Sequence, residues 1–547
     1  MNKDQPLPSI LSLAGRRPLM MSMAATILLL LACPPLGWWP LAWVALVPLV
    51  AVIKTPRFES AHPWRSIWFS GWVFWGLQVY YVPMPHPALW VAWLLLFSYL
   101  SIYPLLFVWI SRKMVHGLGC PALLAAPIVM TAMEWVRAHA LSGFGFVMLS
   151  NSQYEVPLLL QVCDLFGAYG LTFLMTLFAA GVCVALCGQR LGGLAVSGLV
   201  LAFVLGYGFF KLDSIEQSTG SEMHVAIVQG NIDTRFPATE AEMREYGQQL
   251  FREYLNLQKE WMQEQAGPAP ELFVWPEGKY PVPYVLPGGD EDDASIRENF
   301  RTFHSMLYAG EEARFNQEDS ALPLMIVGAT TFDPEKDKQY NSALLVGEKG
   351  KVLGAYHKME LVPFGEFVPF SKWFPLLGKI TPVGNGIDRG TQPVAFNING
   401  NIAMPIVCFE SASTHHVRES VAYLRSSGKE PDFLVNITDD GWFYGQTALD
   451  QHLACNVIRA VENRKPLFVA ANTGLSAMIQ SSGEIISMGP RRNSEVLDRT
   501  LELKTSPSLY ATVGDWPVIL MTLLCVLAVL LPARKQAVVA AATDTQD

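Results

Sequence analysis

The sequence predicts an α/β layered domain inserted in a polytopic helical membrane domain, and three observations carry that reading. The 547-residue chain is 51% hydrophobic and only 16% charged, where soluble chains carry about 25% charged residues. Charge is also unevenly placed: residues 18–53, 66–110 and 165–211 hold almost none, whereas 222–505 has the make-up of an acidic globular domain. Within that acidic part, short β-branched runs alternate with stretches of helical periodicity. A chain this long is expected to hold two or three domains, and the charge boundaries place them at 1–212, 222–505 and 515–532. A formal net charge of −9, with no Lys/Arg-rich run, argues against nucleic acid as a partner.

Runs of about 20 apolar residues are long enough to cross a bilayer as helices. Seven precede the acidic domain, at 17–33, 36–53, 66–82, 88–110, 121–136, 165–187 and 193–211, and one follows it at 515–532. The first two are short and are parted by Pro34 and Pro35, so a re-entrant pair is an alternative there. Basic residues favour cytoplasmic loops. Arg16 and Arg17, then Lys54, Arg57 and Arg65, then Arg112 and Lys113, Arg190, and Arg534 and Lys535 fall on alternate loops, and the opposite loops carry little besides Arg137. Eight spans therefore put both termini in the cytoplasm and 212–514 on the far side. Arg16-Arg17 before an apolar run, with Leu30-Leu31-Ala32-Cys33, has the look of a signal peptide and lipoprotein cleavage box. Cleavage is not expected, because apolar sequence resumes at once.

In the acidic domain, strands are expected in HVAIVQGNI, ELFVWPEG, LPLMIVGATTF, NSALLVGEKGKVLGAYHK, NIAMPIVCFES, DFLVNITDD, PLFVAANTG and SAMIQSSGEIISMG. Hairpin turns fall at Glu348-Lys349-Gly350 and Ser482-Gly483. Runs this apolar suit sheets buried on both faces. Helices are expected at 240–263, 413–426 and 448–463. The Pro/Gly-rich, aromatic stretches 279–294 and 359–385 read as loops too long to be mere connections.

Six of the eight cysteines lie in or beside membrane segments, which leaves Cys408 and Cys455 in the acidic domain. No CxxC pair or zinc-ligand spacing occurs. A disulfide between those two is not expected, since one ends a buried strand and the other lies mid-helix. Cys408 follows the apolar NIAMPIV, and a helical pattern starts at 411–413. A thiol at such a turn meets the positive end of the helix dipole, which favours thiolate. A lone cysteine is more often a buried inert thiol, but here an acid and a base end other strands. Glu277 follows LFVWP, and a glutamate in low dielectric can serve as general base and then acid; standing alone it would read as a surface turn residue. Lys358 ends the second strand of the 343–358 hairpin. It is either a snorkelling edge residue or the group that holds the oxyanion of a tetrahedral intermediate, aided by the Phe409 N–H. Glu366, eight residues on, is placed to orient Lys358. A carboxylate, an ammonium and a thiol on three apolar strands point to acyl transfer through a thioester, and the membrane sequence points to a lipid acyl donor.

Other residues read more plainly. His415 and His416 are adjacent on a helix and point about 100° apart, so no metal site is expected. The sequon at 436–438 lies in a buried-looking strand, and Asn472, at a strand end, is expected to line the substrate pocket. Arg459, Glu462 and Arg464 suit a structural ion-pair network. Glu134, Trp135 and Arg137, near a membrane surface, suit either a helix anchor or a lipid-headgroup contact.

FVWPEGKYP, AYHKMELVPFGEF and AMPIVCFES together resemble the Glu-Lys-Cys triad segments of the nitrilase superfamily, in the same chain order. The resemblance continues through NITDDGWFYG and LDQHLACNVIRAVENRKPLFVAANTG to the closing hairpin and covers essentially all of 222–505. Joined to EWVRAHALSGFGFVMLSNSQY, to the single C-terminal span and to HKMELVPFGEFVPF, it becomes a resemblance to the apolipoprotein N-acyltransferase family. That resemblance implies a four-layer αββα (CN hydrolase) sandwich on a membrane base, a Glu277–Lys358–Cys408 triad, supporting roles for Glu366, Phe409 and Glu410, and no metal or organic cofactor. It further implies a phospholipid donor, phosphatidylethanolamine, and a diacylated apolipoprotein acceptor. The expected location is the bacterial inner membrane, with the catalytic domain on the periplasmic side. Two positions depart from the pattern. Phe409 stands where many members have Tyr, and Phe236, expected to contact substrate, stands near where they often have Trp; both keep the ring and lose a polar handle. The alternative is a membrane-tethered nitrilase-type amidase, in which water resolves the thioester. A non-catalytic transporter or receptor is disfavoured, because the few ionisable residues within the spans form no pathway.

Overall fold

In the computed structural model, residues 9–532 are described, apart from 88, 236–238, 266, 287–300, 304, 309–321, 370–385 and 445. In chain order the strands are β1 (Glu222–Gln229), β2 (Leu272–Val274), β3 (Tyr280–Val285), β4 (Leu324–Asp333), β5 (Lys338–Val346), β6 (Val352–His357), β7 (Phe396–Ile398), β8 (Asn401–Val407), β9 (Phe433–Thr438), β10 (Leu467–Ala471), β11 (Ala477–Ile479), β12 (Ile485–Met488) and β13 (Glu495–Glu502). They form one sheet of order β13-β1-β2-β4-β5-β6, with β3 also on β4, and a second of order β12-β11-β10-β9-β8-β7.

The apolar strands are buried on both faces, as expected. Val225, Ile227, Val274 and Ile326 of the first sheet meet Val407, Val435, Ile437 and Phe468 of the second in one cluster. Alternate residues Ala226, Val228, Phe273 and Met325 face the other way, against Leu250 and Tyr254 of the Glu240–Glu264 helix. On the second sheet's other face, Met404, Ile406, Leu434 and Val469 pack with Val457, Ile458 and Val461 of the Ala448–Asn463 helix. That cluster runs on without a break into Leu160, Tyr169 and Met175 of the N-terminal apolar helices.

Three strand assignments differ from expectation. Residues 280–285, read as loop because of Pro281 and Pro283, form β3; it pairs in parallel with β4 through Tyr280, Tyr284 and Val285, with a register shift between Tyr280 and Tyr284. Pairing that passes over the prolines is how a strand tolerates them. β7 and β13 were not expected. β13 pairs antiparallel to β1 at the sheet edge and exposes Glu495, Arg499 and Thr500, which hides its alternation behind charge.

An apolar helix or broken helix lies at each expected span. Among the described residues, three helices are long and apolar enough to cross a membrane: Leu89–Gly117, Cys163–Leu186 and Arg190–Glu216. The 17–33 segment begins with a 105° bend between Ser9–Arg16 and Pro18–Ala32, and 36–53 is a shorter apolar stretch, Trp39–Lys54, like Trp516–Leu530 at the other end. Glu134 and Arg137 are both buried. The Glu134 carboxylate accepts from the Leu149 N–H (2.7 Å) and Thr172 Oγ1 (2.7 Å), while Arg137 donates to the carbonyls of Phe146 (2.7 Å) and Val147 (3.3 Å). The pair is therefore an internal anchor for the 144–149 segment. Arg459–Glu462 and Arg464–Asp164 are buried ion pairs at 3.1 and 2.8 Å, and the second ties the α/β part to the membrane helices.

Candidate active site

β1, β2 and β4 are parallel neighbours, as are β8, β9 and β10. β6 runs parallel to β4, because each pairs antiparallel with β5. The C-terminal ends of such strands form one edge, where open α/β sheets place their ligands. Glu277 follows β2, Lys358 follows β6, Cys408 follows β8, Asp439 follows β9 and Asn472 follows β10. Close passage of the Glu277 turn over β4 needs Gly328, where a Cβ would lie 2.5 Å from the Glu277 Cα.

Lys358 is the centre of a buried cluster. Its ammonium donates to Glu277 Oε1 (3.1 Å) and Glu366 Oε1 (2.9 Å), with 1% of the residue exposed. Asn341, on β5, donates to the same two oxygens at 2.5 and 2.9 Å and spaces the carboxylates around the cation. The other Glu277 oxygen accepts from the Asp439 N–H (2.9 Å), and the other Glu366 oxygen from Val362 N–H (2.9 Å). Burial alone would lower the Lys358 pKa; Glu277, then Glu366, more than reverse this and hold it well above the usual lysine value. The lysine is thus a fixed cation, as an oxyanion partner must be.

Cys408 opens a short turn, Cys408–Ala412, with φ +53°, in the left-handed region that a non-glycine residue enters at a cost of about 1–3 kcal/mol. Its backbone is gripped at both ends: its N–H donates to Asn436 Oδ1 (2.8 Å), and its carbonyl meets His452 Nε2 (2.8 Å). The expectation that a helix dipole favours thiolate is corrected here. The α-helix starts only at Thr414, after the turn, and burial, with Glu277 adding to it, raises the thiol well above its ordinary value, Lys358 offsetting part. The Cys408 thiol therefore rests neutral, and Glu277 is the carboxylate that acts on it most strongly.

Glu410 sits next but one to Cys408 and is fully buried. Its carboxylate accepts from the N–H groups of Met359 (2.6 Å), Glu360 (3.1 Å) and Val407 (2.7 Å) and from the Tyr356 hydroxyl (2.8 Å). One side chain thereby sets the backbone just after Lys358 against the backbone just before Cys408. Phe409 packs on Phe146 of the membrane part, with ring centroids 5.8 Å apart. The approach is close: a Cβ on Gly145 would lie 1.9 Å from the Ala412 carbonyl oxygen. Asn472, expected to line the substrate pocket, has its side-chain amide engaged with protein groups. Its side chain is buried and accepts from Ile232 N–H and Tyr254 Oη while donating to the Ile232 carbonyl and to Asp439 Oδ1 (2.8 Å), so it holds Asp439 in place. Phe236 lies outside the described residues. Among the described residues, no group of three or more His, Cys, Asp or Glu is arranged to hold a metal ion.

Residues 25–181 match the apolipoprotein N-acyltransferase N-terminal domain, and residues 224–509 match the carbon-nitrogen hydrolase family. An apolipoprotein N-acyltransferase of Geobacter metallireducens is 31% identical over 91% of this chain and 92% of its own length. The chain belongs to the apolipoprotein N-acyltransferase family. A second member, from Rhodopirellula baltica, is 27% identical over 95% of this chain and 99% of its own length. Among solved structures, a nitrilase-superfamily protein of Saccharomyces cerevisiae covers 54% of this chain and 96% of its own, at 14% identity and a TM-score of 0.37. As a member, the protein is an acyltransferase, an enzyme of a bacterial family with apolar membrane helices, and its acidic domain is of the nitrilase-like α/β type.

Membership does not explain why Asn341, Asn436, Asp439, Asp440 and His452 surround the triad. Sequence reasoning gave none of the five a place at the site, and read Asn436 only as part of a discounted sequon. The signal available was positional: Asp439 and Asp440 follow a buried strand directly, and His452 and Asn456 lie four apart on one face of a helix that is buried throughout.

Proposed function

We propose that this enzyme moves an acyl chain from a phospholipid, phosphatidylethanolamine, to the α-amino group of an S-diacylglyceryl-cysteine at the N-terminus of an apolipoprotein, in two steps through a thioester on Cys408. In the first step Glu277 takes the thiol proton and Cys408 Sγ attacks the ester carbonyl of the lipid. Negative charge builds on that oxygen, where the Lys358 ammonium and the Phe409 N–H receive it. Glu277 returns the proton to the departing lysophospholipid alkoxide. In the second step the acceptor's amine attacks the thioester carbonyl, Glu277 takes the amine proton and passes it to the leaving sulfur, and the amide is released. Glu366 and Asn341 position Lys358, and Glu410 positions both the lysine and the nucleophile.

The observation that carries this reading is the neutral, partly buried Cys408 thiol under the field of a Glu277 carboxylate already bound to a cation, in a domain whose second sheet packs on an apolar cluster continuous with the membrane helices. A hydrolase of small amides needs no such membrane helices. We further infer a four-layer αββα arrangement of residues 222–505, between an N-terminal membrane domain (1–212) and a C-terminal helix (515–532). With eight apolar segments in the membrane, both termini lie in the cytoplasm and the catalytic domain faces the periplasm from the inner membrane, the orientation that places basic residues inside. Incubation of purified enzyme with phosphatidylethanolamine and a diacylated lipopeptide tests the proposal: N-acylated lipopeptide is the expected product. Release of free fatty acid without N-acylation supports the amidase-type alternative instead.

A further inference from the structure

Besides the Ser411 hydroxyl of its own turn, which donates to the Cys408 carbonyl at 3.3 Å, the nucleophile's strained backbone has two shorter anchors from outside its strand and turn. Cys408 N–H donates to Asn436 Oδ1, and the Asn436 amide nitrogen donates in turn to Asn456 Oδ1 (2.8 Å). The Cys408 carbonyl faces His452 Nε2 at 2.8 Å. The other ring nitrogen of His452 faces both carboxylate oxygens of Asp440, at 3.0 and 3.1 Å. A neutral imidazole has one donor and one acceptor nitrogen, whereas here a carbonyl and a carboxylate, both acceptors, flank the ring. The arrangement is satisfied in full when both nitrogens carry protons. His452 and Asp440 are buried, and Thr438 Oγ1 also donates to Asp440 (3.2 Å), so the pair is screened little by solvent. Burial by itself disfavours the imidazolium, and Asp440 outweighs it, raising the His452 pKa. Asn456 Nδ2 donates back to the His452 carbonyl (3.0 Å), so the two anchors are braced one turn apart on the same helix.

We infer that His452 is a positioning residue for acyl transfer, an imidazolium oriented by Asp440 that holds the Cys408 carbonyl and with it the left-handed backbone that aims the thiol and the Phe409 N–H. The role requires a donor at the position of Nε2, and Asp440 acts only through the ring. The inference rests on Cys408 being the nucleophile.

The test uses the full-length enzyme in detergent micelles with a fluorescent phosphatidylethanolamine, reading formation of the acyl-enzyme and, separately, transfer to lipopeptide. His452→Ala should lower kcat about 100-fold, the cost of displacing a reacting group by about 1 Å, with KM for phospholipid within threefold of wild type. His452→Gln, which keeps a donor, should recover at least tenfold of that loss. Asp440→Asn should fall between, and should add less than twofold when combined with His452→Ala. The inference is overturned if His452→Gln is no better than His452→Ala, if KM rises as much as kcat falls, or if Asp440→Asn and His452→Ala multiply. A Cys408→Ala control separates the two readings. An acyl-enzyme that survives in Cys408→Ala removes the nucleophile assignment itself; its loss there, with full activity in His452→Ala, removes only the role of His452.

Discussion

Glu410→Gln breaks the link between the two halves of the site while leaving every proposed reacting group in place. One Glu410 oxygen accepts from the Met359 and Glu360 N–H groups, the other from Val407 N–H, and both meet the Tyr356 hydroxyl. Glutamine keeps one acceptor and turns the other into a donor. With its nitrogen toward Met359 and Glu360 it would oppose two N–H groups; toward Val407 it opposes one, so the second rotamer is favoured. The change then costs one hydrogen bond to a charged acceptor and leaves the buried Val407 N–H unsatisfied. These overlapping losses come to about 2–4 kcal/mol of folding stability, from roughly 1.5–3 for the bond and 1–3 for the orphaned donor. Val407 directly precedes Cys408, so relief of that strain displaces the nucleophile, and a shift of about 1 Å costs on the order of 100-fold in rate. The assay is acyl-enzyme formation from fluorescent phospholipid, with thermal unfolding measured on the same preparation. A Glu410→Gln enzyme that unfolds at the wild-type temperature and acylates within threefold of the wild-type rate would refute this reasoning.

Lys358→Met leaves Glu277 and Glu366 without the cation they share, and acyl-enzyme formation should fall by about 100- to 1,000-fold, the usual cost of one oxyanion donor. Because the native Lys358 pKa is raised, its stabilising charge is fully present below the ordinary lysine value and is lost only above it, so no activity loss from this group is expected up to pH 10. The raised thiol has the same sense at a lower pH: the unfolded chain ionises first, so this group's contribution to stability declines as pH climbs past the ordinary 9.0. Alkylation of Cys408 by iodoacetamide should therefore show no ionisation step between pH 7 and 9, and a midpoint within that range would contradict the assignment of a neutral resting thiol. Asn472→Ala should lower stability by about 1–3 kcal/mol through the unpaired groups it leaves, with KM for phospholipid unchanged; a rise in KM of tenfold or more would restore a substrate-contact role.

The strand-end placement of Glu277, Lys358 and Cys408 was legible because each follows a strand-like run, and a strand end is where a backbone leaves its ladder and a side chain can reach a shared edge. The double burial of β8, β9 and β10 was legible from their unbroken apolar runs. β3 was not, since Pro281 and Pro283 mark a loop unless the partner strand is known to pair around them. The partners of the triad were not legible either. Asn341 lies 64 residues from Glu277 in sequence, and His452 lies 44 from Cys408, so only the fold brings them together. The misread charge state of Cys408 has a single physical cause: the local pattern suggested a helix N-terminus, whereas the thiol's state is governed by burial and by Glu277, neither of which is a property of the neighbouring sequence. Asn472 was placed at the right edge, but its protein partners, Ile232, Tyr254 and Asp439, were not legible, because a strand-end amide can face ligand or protein alike.

The central claim is that Cys408 carries the acyl chain between donor and acceptor. Wild-type enzyme incubated with phosphatidylethanolamine in the absence of lipopeptide, then digested and examined by mass spectrometry, should yield the Cys408 peptide heavier by one fatty acyl group. That adduct should be released by neutral hydroxylamine and be missing from Cys408→Ala. An acyl group found on another residue, or acyl transfer that proceeds in Cys408→Ala, would contradict the account.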